Sequence, residues 1–460
     1  MKFITGQKFS SLAGIFLVLS FLPLLFISNL RGKHLPIFLL CFSLAGMAYL
    51  LTSLRLNHFQ IPLKIIWIIA ILARLILLGT SPSLSDDVYR YLWDGHLMDQ
   101  GINSYAEPVN SHLLDPFATP LREKVNHPQM ASPYLPVAQV YFWIIEQIAP
   151  QLVKAYQLGA MLLDLLIGLM VQRLLVRLRL NPASVLIYLW NPLVIVEFTH
   201  AAHVDVLMLF LIMISINAVL SDKKKQPLSA ILLALATLTK GLPVFFSLLW
   251  LRKWRTRYFA LFIFIVGIAT AGFALGAGWG LFQVMDGRGI FGAARIYANY
   301  WRFNSSPIFN LVDTTLSMNS RYASSITRLL SGAVLLAIAA WSGKQSWKLN
   351  QPGNQSIASD RSLVRISLLP LGTYLLLSPT VHPWYLTWLI PFLPFFIPGE
   401  DDSPKLWHWL VPIIYFSLVV SLSYLAYVSQ TVVKVPTWVL WMEYLPLYVG
   451  LIWAAVSFRQ

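Results

Sequence analysis

The sequence predicts an all-α protein that crosses a lipid bilayer many times. Three observations carry this: only 12% of its 460 residues are charged and 57% are hydrophobic, mean hydropathy is +0.66, and apolar runs of about 20 residues recur from end to end. A soluble domain carries roughly 25% charged residues.

Taken in order, the apolar runs fall near 9–30, 35–54, 61–81, 152–176, 183–199, 203–220, 228–250, 257–281, 322–342, 362–378, 384–398, 406–428 and 436–457. That makes about thirteen spans in one integral membrane domain covering 1–460. Lys2 and Lys8 precede the first run, which lacks a small-x-small cleavage site and is followed at once by further spans, so it reads as an uncleaved helix. The run 228–250 is interrupted at Lys240-Gly241-Leu242-Pro243, where proline removes a backbone donor, so two short helices are expected to meet there.

The formal net charge of +15 lies in short basic segments between apolar runs, which is a topogenic pattern and excludes a nucleic-acid-binding reading. With the first residues cytoplasmic, Arg173, Arg177 and Arg179, the run Lys223-Lys224-Lys225, the cluster Arg252 to Arg257, and Lys344 with Lys348 all fall inside. Arg31 and Lys33 are exceptions. The same bookkeeping places residues 82–151, the turn from Glu197 to Asp205, residues 282–321 and the turn from Ser378 to Trp384 outside. A polar stretch, 343–361, reads as a cytoplasmic linker. Cys41 is the single cysteine, so no intrachain disulfide can form.

The external stretch 82–151 is long enough to demand a function, and its aromatic and proline content reads as an ordered loop with interfacial helices. It opens with Ser85-Asp86-Asp87-Val88-Tyr89-Arg90-Tyr91-Leu92-Trp93-Asp94-Gly95. A carboxylate at a membrane surface can deprotonate an acceptor hydroxyl, so Asp86 or Asp87 is the candidate catalytic base. Ser-Asp-Asp is also a good helix N-terminal signal, and capping is the alternative. Gly95 and Gly101 read as a turn closing this helix. Arg90, Lys240, Arg302 and His382 are candidates to hold a donor phosphate, because cationic and N–H donors suit phosphate oxygens. Candidate sugar or acceptor contacts are Tyr91, Trp93, Asp94, Asn103 and Tyr105, then His127, then His203 and Asp205, and finally Trp384 and Tyr385. His200 and His203 stand at i,i+3 without a fuller ligand pattern, so no metal or other cofactor is expected. Arg74 and Asp164 lie within apolar runs and are expected to pair with each other.

In this order the segments DDVYRYLWDG, GINSYAEP, NHPQMASPYLP, NPLVIVEFTHAAHVDVLM, LATLTKGLP, RFNSSPIFN and SPTVHPWYLTWLIPFL resemble bacterial polyprenol-phosphate-sugar-dependent enzymes of the GT-C glycosyltransferase superfamily, particularly mannosyltransferase-like members. The resemblance spans roughly residues 80–400. It implies a GT-C-like bundle whose first long external loop carries the catalytic carboxylate. It also implies inverting transfer of a hexose, mannose by family weight, from a polyprenyl-phosphate sugar to a lipid or glycan acceptor. By motif, Asp86 or Asp87 matches the acidic position, and Arg90-Tyr91 the basic-aromatic pair. Two additional spans precede the catalytic loop compared with the simplest family plan. The expected location is the inner, plasma membrane with the active site facing outward. A transporter or flippase is the competing class, but those tend to carry paired repeats with polar sites near the midplane, and no repeat is visible here.

Overall fold

In a computed structural model the described residues are 2–56, 61–278, 287–318, 320–351, 353, 356–428 and 433–459. Their regular elements are all helical, and the single β contact among them is an isolated bridge between Phe303 and Thr380. Seven helices are long and apolar enough to cross a bilayer: Lys8–Phe26, Gly32–Ser53, Val153–Arg177, Leu242–Gly276, Ala323–Leu349, Pro404–Tyr427 and Thr437–Phe458. The bent pair Pro182–Leu189 and Pro192–His200, broken by 59°, makes an eighth when taken as one span. The protein is therefore an all-α polytopic membrane protein. Large apolar side chains along these helices, such as Leu12, Phe264, Leu275 and Ile452, stay exposed as lipid-facing surface.

Several expected spans form shorter helices. Runs 61–81, 203–220 and 362–378 become Leu63–Leu78, Asp205–Val219 and Leu368–Leu377. The run 384–398 holds only Pro383–Leu386 and a 3-10 stretch, Ile390–Phe396, where Pro391 and Pro394 withhold amide donors. At Lys240 to Pro243 the chain breaks between Gln226–Thr237 and Val244–Gly276. The second of these is longer than expected and is interrupted at Arg255, with φ 59° and ψ 163°. The described part of 257–281 ends at residue 278, and 282–286 and 319 of the expected external segment 282–321 likewise lie outside the described residues. The same holds for 352, 354 and 355 of the expected linker 343–361, most of whose remainder belongs to helices Ala323–Leu349 and Ile357–Ile366.

The chain divides into two compact units, one made of Met1–Leu84, Asp164–His200 and Arg302–Gln460, the other of Ser85–Leu163 and Ala201–Trp301. In the first, Asn-Pro pairs start two consecutive helices: the Asn181 side chain accepts from Ala183 N–H, and Asn191 from the amides of Leu193 and Val194. Both prolines sit at the first helical position, where no amide donor is needed. Arg74 Nε bonds Asp164 Oδ2 at 2.7 Å with both side chains fully buried, the pairing expected from sequence. Arg31 donates to the Leu84 carbonyl at 2.8 Å and lies 5.0 Å from the Tyr427 ring centre. This arginine, an exception to the charge asymmetry, has a structural task.

In the second unit, helix Asp87–Asp99 packs on Pro136–Ile148. The sequence expectation of a turn at Gly95 is corrected here, because the helix runs through it. A Cβ at Gly95 would lie 2.6 Å from the Phe142 carbonyl oxygen and 3.0 Å from Tyr156 Oη, so glycine is needed for close approach of the two helices. Gly101 does end the helix: at φ +74° it donates to the Met98 carbonyl at 3.0 Å while Ile102 N–H reaches Leu97 at 2.9 Å. This is a Schellman motif. Ile102 packs against the cluster containing Leu97, the apolar contact such a motif favours.

Candidate active site

Asp86 is the N-cap residue of Asp87–Asp99, but its side chain makes no capping hydrogen bond. Instead the Ser85 hydroxyl accepts from Asp87 N–H at 3.3 Å. Neither carboxylate is therefore explained by helix capping. Asp87 Oδ1 accepts from Asn126 Nδ2 at 2.9 Å, and its Oδ2 lies 3.6 Å from His203 Nδ1. The Asp87 side chain keeps 20% of its exposure whereas His203 has none, so the carboxylate remains partly accessible.

Burial pushes the Asp87 carboxyl above its ordinary range, and the charges of Asp205 and Asp86 push the same way, against the Asn126 hydrogen bond and the Lys240 charge. A raised carboxyl is a stronger base once ionised. Lys240 Nζ bonds Asp205 Oδ1 at 2.7 Å, with 20% of the lysine side chain exposed against 1% of the aspartate's.

Arg90, expected at a donor phosphate, is 2% exposed. Its guanidinium donates to the carbonyls of Met130 at 3.2 Å and of Asn126 and His127 at 3.1 Å each. It thus gathers the loop from which Asn126 reaches Asp87. Within that loop His127 holds φ 48°, a left-handed conformation uncommon outside glycine, and its ring meets Trp301 edge-on at 4.3 Å. Asn126 carries no site signal in the sequence, because an asparagine before His-Pro reads as loop chemistry until folding sets it against Asp87.

The other expected contacts in this unit are inward-facing. Tyr91 stacks on Phe142 at 4.5 Å and its hydroxyl accepts from Val204 N–H at 3.4 Å. Trp93 belongs to an apolar cluster with Leu97, Val109, Leu114 and Val125. Asp94 accepts from Ser132 Oγ at 2.5 Å and Gln139 Nε2 at 3.0 Å. Asn103 donates to the Phe273 carbonyl at 2.9 Å and Tyr105 to the Tyr134 carbonyl at 2.5 Å.

Arg302, His382, Trp384 and Tyr385 belong to the first unit. There Arg302 pairs with Asp313 at 2.7 Å. His382 lies between two rings, Trp384 at 4.3 Å and Phe303 at 4.6 Å, both close to parallel. Tyr385 stacks on Trp388 at 4.4 Å.

One acidic centre, ringed by an amide, an imidazole and a lysine, suits proton abstraction beside an anion. Among the described residues no cluster of three or more His, Cys, Asp or Glu could hold a metal ion. A family model described as alpha-(1->6)-mannopyranosyltransferase, N-terminal domain, matches residues 10–255, more than half of the chain. The chain belongs to this MptA_B family. This mannosyltransferase is accordingly a membrane-embedded glycosyltransferase that moves mannose from a sugar donor to an acceptor. The matched residues of the mannosyltransferase include Asp86, Asp87, Asn126, His203, Asp205 and Lys240, and exclude Arg302 and His382. No curated protein matches, and no solved structure does.

Proposed function

We propose that this mannosyltransferase takes mannose from a polyprenyl-phosphate donor and joins it, with inversion, to a hydroxyl of a lipid or glycan acceptor at the external membrane face. The observation that carries the reading is Asp87, a partly exposed carboxylate held by Asn126 on a short helix outside the candidate spans, with the Lys240 charge acting on it. Asp87 accepts the acceptor's hydroxyl proton as that oxygen attacks the anomeric carbon. The carbon–oxygen bond to phosphate breaks, and its electron pair leaves with the lipid phosphate. Lys240 shifts from Asp205 toward that growing charge. Asp86 is the alternative base. An inverting enzyme that forms the α-(1→6) linkage of its family's description needs a donor of β configuration. The charge asymmetry of the sequence, which assigns most short basic segments to the cytoplasmic side, supports the external placement.

The test is transfer in sealed right-side-out proteoliposomes with a membrane-impermeant acceptor, comparing polyprenyl-phosphate β-mannose with a nucleotide-linked mannose. The lipid donor gives an α-linked product outside the vesicle, and Asp87→Asn lowers turnover by about 100-fold or more, the scale of a lost general base. Use of the nucleotide donor alone, or full turnover by both Asp87→Asn and Asp86→Asn, overturns the reading.

A further inference from the structure

We propose that His203 is the positioning residue for Asp87: its imidazole Nδ1–H donates to Asp87 Oδ2 and, with Asn126 on the other oxygen, fixes the plane of the carboxylate toward the acceptor hydroxyl. This rests on the reading of Asp87 as the base. An ionised carboxylate only accepts hydrogen bonds, so any bond between the two side chains runs from imidazole N–H to oxygen.

Asn126 Nδ2 holds Oδ1 at 2.9 Å, and one contact leaves the carboxylate free to swing about that oxygen. The second oxygen has His203 Nδ1 at 3.6 Å, just beyond hydrogen-bond distance. Catalytic hydrogen bonds are often long before substrate binds and tighten in the complex. The backbone directs this histidine to its place. Ala202, a non-glycine residue, adopts φ 57°, and the His203 backbone carbonyl then accepts from Val206 N–H at 3.2 Å at the start of helix Asp205–Val219. Tyr91, four residues along the acidic helix from Asp87, takes the amide of Val204 at 3.4 Å and so ties this turn to the same helix. Left-handed non-glycine residues persist where the surroundings over-determine them, commonly at functional sites.

During transfer the acceptor proton moves to the Asp87 carboxylate. The acceptor oxygen forms its bond to the anomeric carbon, and the phosphate oxygen leaves with the pair. His203 neither gains nor loses a proton in that step. Its effect is to hold the ionised form in one orientation and to favour that form. The other groups within electrostatic reach of Asp87 are Asp86, Arg90 and Tyr91 on its own helix, Tyr134, Asp205 on the turn, and Lys240. A His203 variant leaves all of these in place.

The experiment measures kcat, donor KM and the acid limb of the kcat–pH profile for wild type, His203→Ala, His203→Asn and His203→Gln, with Asp87→Asn beside them. His203→Ala lowers kcat by about 10- to 100-fold, the scale of a hydrogen bond to a charged group, while donor KM stays within about twofold. Losing a donor to the charged form raises the Asp87 pKa, so the acid limb moves to higher pH. Asparagine places an amide N–H near the Nδ1 position and recovers most of both, whereas glutamine does not. Wild-type kcat and limb in all three variants overturn the proposal, as does an equal loss in all three with the limb unmoved. If His203→Ala fails to insert, the contrast between asparagine and glutamine decides. Asp87→Asn separates the two levels. If it is inactive while His203→Ala is normal, only the positioning role falls; if it is fully active, the base itself is elsewhere.

Discussion

Two acid–base pairs among the described residues have equal length and opposite character. Arg74 and Asp164 are 2.7 Å apart with no exposure on either side. The arginine also donates to the carbonyls of Ala70 at 3.0 Å and Leu189 at 2.8 Å, while Tyr188 Oη donates to Asp164 Oδ1 at 2.6 Å. Lys240 and Asp205 are likewise 2.7 Å apart, but a fifth of the lysine side chain is exposed. The first pair is fully buried, with backbone carbonyls and a tyrosine hydroxyl as its further partners, and it joins helices Leu63–Leu78 and Val153–Arg177. The second is a point charge on a flexible stem beside the acidic centre, and a bound anion can compete for it. Distance does not separate the closed pair from the open one, to which we assign a role in donor binding; the remaining partners and exposure do.

Breaking the closed pair has the largest expected effect on stability. Asp164→Leu strands a guanidinium in the interior and costs about 3–5 kcal/mol, read as loss of folded protein from the membrane fraction. Arg74→Leu combined with Asp164→Leu recovers much of that loss, because the lone charge is gone. Double-variant stability no better than the single would remove the distinction between the pairs.

The open pair gives a smaller fold effect and a kinetic one. Lys240→Met costs about 1–2 kcal/mol, discounted for its exposure, and raises donor KM about tenfold or lowers kcat, with acceptor KM little changed. Unchanged kinetics in a properly inserted variant would make Lys240 another structural charge, like Arg74.

The smallest expected effect sharpens what the acidic helix needs. Gly95→Ala gains about 1 kcal/mol of helix propensity, but its methyl meets the Phe142 carbonyl oxygen at 2.6 Å, an overpacking cost of about 1–3 kcal/mol. A net loss of about 1 kcal/mol in thermal unfolding is expected. A more stable variant would show that the helices separate freely.

The membrane architecture was legible because apolar runs follow from bilayer thickness alone. The pairing of Arg74 with Asp164 was legible because two charges inside apolar runs have few other partners. The number of spans was less so: Leu368–Leu377 and Ile390–Phe396 are apolar enough but too short or too rich in proline. Asp86 and Asp87 stand out as adjacent carboxylates after an apolar run, yet nothing in one dimension brings Asn126 to Asp87, because that contact depends on Arg90 gathering three carbonyls 36 to 40 residues away. Gly95 was misjudged for a related reason. Its lack of a side chain serves a neighbour distant in sequence, which a local turn rule does not see.

The interruption at Arg255 bears on how the polypeptide enters its membrane. A continuous helix from Val244 to Gly276 would be about 50 Å long, against a hydrocarbon layer of about 30 Å. With the break, residues 256–276 make a segment of about 31 Å, and Arg252, Lys253, Arg255 and Arg257 form a basic collar at its start. Only 11% of the residues in the most apolar window of Leu242–Gly276 are buried, so few neighbours enclose this segment. A basic collar of this kind sits at a membrane–water boundary by the charge rule for short loops, so the break at Arg255 sets where the apolar segment begins.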